Sequence, residues 1–135
     1  MNKDLLVSDV MIKTGNFPIV NEKELFRETI EEINKFGLGI ACIIDFDGKL
    51  IGVLTDGDIR RLILKVQKPI AAIFVDDAIS YATRKFENVY ENTPMEKALL
   101  KMEEFRIWDL PVIDQEGKLK GLLHLHPALK FVLGI

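Results

Sequence analysis

One cysteine, Cys42, stands in a chain of 135 residues, so no disulfide forms within it and stability must come from packing. Tryptophan is as scarce, with Trp108 alone, and there are two histidines, His124 and His126. Apolar runs such as IAAIFV at 70–75 fall far short of the ~20 residues that span a bilayer. The opening stretch, MNKDLLVSDV, carries charges and lacks the apolar core of a secretory leader. Lysine and arginine are dispersed and the net charge is −3, which argues against nucleic acid as a partner. The expected setting is cytoplasmic, away from membranes.

What the chain does have is itself, twice. Residues 20–54 laid over residues 89–123 match at ten of 35 positions without a gap, among them Val20/Val89, Phe36/Phe105, Ile44/Ile113, Asp45/Asp114, Gly48/Gly117 and Gly52/Gly121. Chance gives a couple, so this is an internal duplication. The repeats are assigned to 1–67 and 68–135.

Each copy has the same order of elements. A short strand (17–20, 86–89) is followed by an amphipathic helix. Leu25, Phe26, Thr29, Ile30, Ile33 and Phe36 form one stripe, and Met95, Ala98, Leu99, Met102 and Phe105 the other. TPME suggests that the second helix starts with Thr93 as N-cap, Pro94 at N1 and Glu96 closing a capping box. Two strands follow, IACIID (40–45) with KLIGVL (49–54), and LPVID (110–114) with KLKGLLHL (118–125). Turns at Asp47-Gly48 and Glu116-Gly117 join them. Closing helices are expected over 56–66 and 127–133, the second with Pro127 at N1. The apolar connector KPIAAIFVDD reads as ordered. The fold class is α+β: two β-α-β-β-α units about a pseudo-twofold axis, packed sheet to sheet with a cleft between. Neither half alone is long enough to bury much core.

GVLTDGDIRR, residues 52–61, carries the chemistry. A strand runs into a helix, with Thr55 at the junction and Asp58 three positions on. One reading is a capping box between Thr55 and Asp58. Another adds a ligand, because free N–H groups at a helix N-terminus receive anions, Thr55 can join them, Asp58 can accept both hydroxyls of a ribose, and Arg60 or Arg61 can approach a phosphate. A third takes Asp56 and Asp58 as a divalent-metal site, which two carboxylates without a third ligand serve poorly. His124 and His126 share a strand face. They suit a phosphate or a metal, or are ordinary residues of a strand-to-helix junction; two histidines do not make a zinc site. Cys42 reads as core. Trp108 aligns with Gly39 and fills a cleft or an interface, or caps the core.

The duplicated unit with G-h-h-T-x-x-D at its last junction resembles a tandem CBS domain, or Bateman module. VSDVMIKTGNFPIV, GLGIACIIDFDGKLIGVLTDGDIRR and LPVIDQEGKLKGLLHLH are similar to the C-terminal CBS pair of bacterial arabinose-5-phosphate isomerases, where a sugar-isomerase (SIS) domain carries the catalysis. TDGDIRR also occurs in CBS pairs of sugar-phosphate nucleotidyltransferases. The resemblance implies a non-catalytic regulatory module that forms a homodimer and takes AMP, ADP, ATP or a CMP-linked sugar acid, without any required cofactor or metal. By the same resemblance Asp58 would hold the ribose diol, with Thr55 facing ribose or phosphate; Arg61 as a phosphate contact rests on the residues alone. The base would lie between Phe17, Pro18, Ile19 and Gly39, Ile40, Ala41; His124 and His126 are kept as candidate phosphate contacts on their shared strand face alone. In the second repeat Pro127 replaces Asp58 and His124 replaces Thr55, so one competent ribose site is expected. The competing expectations are a ligand-free dimerisation module and an enzyme in its own right; no nucleophile–base pair, metal trio or glycine-rich phosphate loop in the sequence speaks for the enzyme.

Overall fold

A computed structural model describes residues 4–134. They fold as mixed α and β structure in two compact units. One is Gly15–Phe86; the other joins the segment ending at Thr14 to the chain from Glu87 onward. The compact units therefore cut the chain at different points from the sequence repeats. Each draws in the first part of the other repeat.

The unit Gly15–Phe86 is built on a three-stranded sheet. β2 (Ile19–Asn21) pairs in parallel with β3 (Ile40–Ile44), which pairs antiparallel with β4 (Leu50–Thr55). Helix α2 (Phe26–Phe36) covers this sheet and ends at Gly37, whose φ of 70° only glycine adopts freely. Thr29, buried on the stripe, spends its hydroxyl on the Leu25 carbonyl. β4 runs directly into α3 (Asp56–Lys65), and the connector forms α4 (Ile70–Phe74) and a 3₁₀ turn at Ala78–Tyr81. Lys68, Asp76 and Tyr81 clasp one another there, so KPIAAIFVDD is ordered.

The other unit contains a short helix α1 (Val7–Val10) and strand β1 (Ile12–Lys13), which pairs antiparallel with β6 (Leu119–His124). β6 pairs with β5 (Asp109–Ile113), and helices α5 (Met95–Phe105) and α6 (Leu125–Val132) complete it. The strand expected at 86–89 shrinks to one parallel bridge, Val89 with Val112.

The duplication extends to packing and hydrogen bonds. Val20, Phe26, Ile33, Ala41, Ile43 and Leu54 lie in one core. Their counterparts Val89, Met95, Met102, Leu110, Val112 and Leu123 lie in the other. Ala41 becomes Leu110 while Phe26 becomes Met95, a trade of volume that keeps each interior filled. Asp45 Oδ1 accepts from the Asp47 and Lys49 N–H groups, and Asp114 Oδ1 does the same for Glu116 and Lys118. Both hairpins shift register at the same place, Ile43/Ile44 and Val112/Ile113.

Two helix starts differ from expectation. Thr93 does not cap α5: Pro94 is the N-cap residue and no side chain caps the helix. Thr93 Oγ1 instead accepts from the Tyr90 N–H, and its carbonyl accepts from the Val7 N–H. Pairing of Leu6 with Pro94 holds the chain extended there, so the local cap loses to a tertiary bridge. Pro127 is not the first residue of α6, which begins two positions earlier at Leu125. It stays within the first turn, where its missing N–H is harmless. Phe105, expected on the α5 stripe, is 46% exposed, and Cys42 is fully buried.

Candidate functional site

The junction of β4 and α3 places Thr55 and Asp58. Thr55 has extended backbone and starts the helix, so its hydroxyl meets the Asp58 N–H at 3.1 Å while its own N–H donates to Asp58 Oδ2 at 2.9 Å. The capping box read from TDGD is therefore present. It does not use up the carboxylate. Asp58 Oδ1 also accepts from Arg61 Nη2 at 2.9 Å and from the Thr83 hydroxyl at 2.8 Å. Asp58 is 9% exposed. Burial by itself raises its pKa, but the bonds from Arg61, Thr55 and Thr83 outweigh that and hold it below the ordinary carboxylate value. The site is an ionised carboxylate, largely buried at a helix N-terminus that favours negative charge.

Gly39 shapes the rim. Its carbonyl accepts from the Asp56 N–H, its φ is 78°, and a Cβ there would stand 3.0 Å from Asp56 Oδ2. Ile40 pairs with Thr55, and Ile19 with Cys42. The sheet thus brings Phe17–Ile19, Gly39–Ala41 and Thr55 to one end, beside Asp58 and Arg61. The side chains of Phe17, Pro18, Ile40 and Ala41 are buried in protein, so these segments offer a ligand mainly backbone. Asp56 is exposed, and among the described residues no group of three or more His, Cys, Asp or Glu is placed to hold a metal ion.

His124 and His126 belong to the other unit. His124, 4% exposed, is the N-cap residue of α6 but caps nothing with its side chain. Its Nδ1 lies 2.6 Å from Asp109 Oδ1 on the paired strand. Burial raises the Asp109 pKa and His124 opposes the rise. The exposed His126 ring stands edge-on to His124 at 4.9 Å and 5.9 Å from Trp108. Trp108 is 61% exposed, so it does not cap the core. It borders a shallow concavity of about 310 Å³ with Leu99, Met102, Ile107 and Leu125.

The family model of the CBS domain matches residues 7–65 and 75–130. The chain belongs to the CBS domain family. The CBS pair is similar to arabinose 5-phosphate isomerase KdsD of Pseudomonas aeruginosa, with 30% identity over 126 residues, 93% of this chain and 37% of that protein. It is 28% identical to KdsD of Francisella tularensis over 133 residues, 96% of this chain and 38% of that one. It therefore spans little more than a third of these relatives. Among solved structures, CBSX2 in complex with AMP superposes with a TM-score of 0.83 at 26% identity, covering 96% of each chain.

Two partners in these CBS repeats escaped the sequence reading. Asp109 was legible in principle: Ile40 pairs with Thr55, so the repeat offset pairs Asp109 with His124. Thr83 left no such trace. It reaches Asp58 only because Thr83 and Val53 form a backbone bridge. No helix among the described residues is long and apolar enough to cross a membrane.

Proposed function

We propose that this CBS pair is a regulatory module that binds a ribonucleotide, adenosyl or carried on an activated sugar, through its ribose diol at Asp58. The observation that carries the reading is the carboxylate itself: buried, held ionised, and set beside a helix N-terminus. A hydroxyl pair can donate to such an acceptor, and Arg61 is near enough to meet a phosphate. The base is assigned to the end of the sheet formed by Phe17–Ile19 and Gly39–Ala41. The AMP held by CBSX2 supports an adenosyl ligand, and the similarity to KdsD supports control of a sugar-phosphate isomerase, with the nucleotide-linked sugar acid as feedback signal. Pro127 offers no side-chain acceptor, so ribose binding is assigned to the first repeat, and His126 beside Trp108 remains as a contact for phosphate or base. Occupancy acts by favouring one conformation over another, passed on through a homodimer to an SIS-type domain in the cytoplasm.

A second reading has a specific observation behind it. The donors on Asp58 already satisfy the carboxylate without a ligand, as a purely structural dimerisation module requires. Thermal unfolding with AMP, ADP, ATP, S-adenosylmethionine, CMP and a CMP-linked sugar acid separates the two. A ligand at 100 times its Kd adds about 2.7 kcal/mol, a rise of several degrees in Tm for a domain this size. The rise should vanish in Asp58→Ala. No rise with any compound sinks the ligand reading and leaves the structural one.

A further inference from the structure

A carboxylate presents about four acceptor positions on its two oxygens. On Asp58, Oδ2 receives the Thr55 N–H, and Oδ1 receives both Arg61 and Thr83. Among the described residues Oδ1 takes two donors and Oδ2 takes one, so a further hydroxyl can be received on Oδ2 but not on Oδ1. A cis-diol that reaches both oxygens must therefore remove a donor from Oδ1. The Arg61 side chain is 53% exposed, but its bond to the buried carboxylate is an ion pair, stronger than one from a neutral hydroxyl, and is the harder to give up. Its guanidinium also lies along Gly57, 3.2 Å from where a Cβ of that residue would stand. The Thr83 hydroxyl is neutral, and its residue is partly exposed, so it can turn to water at little cost. Its backbone need not follow. The N–H of Val53 donates to the Thr83 carbonyl at 2.9 Å, and the N–H of Thr83 to the Val53 carbonyl at 2.8 Å.

We infer that the Thr83 hydroxyl is a competitor built into the fold, occupying the place on Asp58 that a ligand's sugar diol takes, and that it thereby sets both affinity and sugar selectivity. This rests on the ribose reading above. The bond count gives the consequence. A diol makes two new bonds and breaks the one from Thr83, a net gain of one. A sugar with a single hydroxyl takes the open position on Oδ2 and breaks none, also a net gain of one. The wild-type site is thus a weak judge of ribose against deoxyribose. Without the Thr83 hydroxyl the diol gains two bonds and the single hydroxyl still gains one.

Calorimetric titration of the whole chain with AMP, CMP and their 2′-deoxy forms tests this. The proteins are wild type, Thr83→Val, Thr83→Ala and Thr83→Ser, with Val and Ala standing in for each other should one fold poorly. A ribonucleotide that binds wild type should bind the Val and Ala variants about tenfold tighter, the worth of one charge-assisted bond. Its 2′-deoxy form should bind all four proteins alike, and the Ser variant should match wild type. Ribonucleotide affinity unchanged or weakened in the Val and Ala variants, with wild type binding normally, overturns the competitor and leaves the ribose site standing. No binding of either ribonucleotide to any of the four proteins overturns the ribose reading, and the competitor with it.

Discussion

Asp109 and His124 face one another across β5 and β6, Oδ1 to Nδ1 at 2.6 Å, at the positions that hold Ile40 and Thr55 in the first repeat. An apolar–hydroxyl pair has become an acid–imidazole pair with His124 buried and Asp109 partly so. The second strand-to-helix junction has no capping box because its N3 residue is Pro127, which has neither an N–H nor an acceptor side chain; the N-cap side chain turns instead to its strand neighbour.

The pair is predicted to be strongly coupled. Asp109→Ile leaves the buried His124 without its partner, and His124→Thr leaves the Asp109 carboxyl without its own. Each should cost about 1–3 kcal/mol in urea unfolding. The double variant rebuilds the first repeat's pair and should recover to within about 1 kcal/mol of wild type. Additive losses in the double-mutant cycle would show the two side chains to be independent.

Asp58 and Asp109 should pull the acid stability profile in opposite directions. Asp58 has a lowered folded pKa, so its contribution is complete above the unfolded carboxylate value, about 4. It is lost as pH falls through the lower folded value. Asp109 has a raised folded pKa, so its contribution is complete below the unfolded value and is lost as pH rises through the folded one. Chemical unfolding followed from about pH 3 to about pH 7 should show Asp58→Asn flattening the gain in stability with pH. The Asp109→Ile, His124→Thr double variant should steepen it. Parallel profiles for all three proteins would contradict both assignments.

Gly52 and Gly121 are the same glycine in the two repeats, and each lies under another stretch of chain. A Cβ on Gly121 would stand 2.6 Å from Met11 Sδ and 2.9 Å from the Ile12 carbonyl oxygen. One on Gly52 would meet Ile79 Cδ1 at 2.8 Å and the Thr83 carbonyl oxygen at 3.3 Å. A methyl at the far end of a side chain can move aside, whereas the backbone of β1 is held in its ladder. Gly121→Ala should therefore destabilise more than Gly52→Ala, each within about 1–3 kcal/mol, read as a shift in urea midpoint. Gly52→Ala should also displace the bridge that carries Thr83. Equal and negligible losses would mean that neither strand is closely crossed.

The amino-acid order by itself determined the duplication, the two hairpins, the buried stripes of α2 and α5 except for Phe105, and the Thr55–Asp58 box. All of these are periodic, or are set by a tight turn or a cap a few residues long, so the chemistry that makes them is visible in neighbours. The family resemblance was legible for the same reason, since its signature is one strand, one turn and one cap. Only the tertiary structure decided that the segment ending at Thr14 folds with the second repeat, that Thr93 surrenders its cap to the Leu6–Pro94 pairing, and that Thr83 closes on Asp58. Each of these depends on which backbone happens to pair with which. Thr83 and Asp58 are 25 positions apart, and nothing local to either residue draws them together. The bridge from Thr83 to Val53 does, and with it the last donor on the carboxylate.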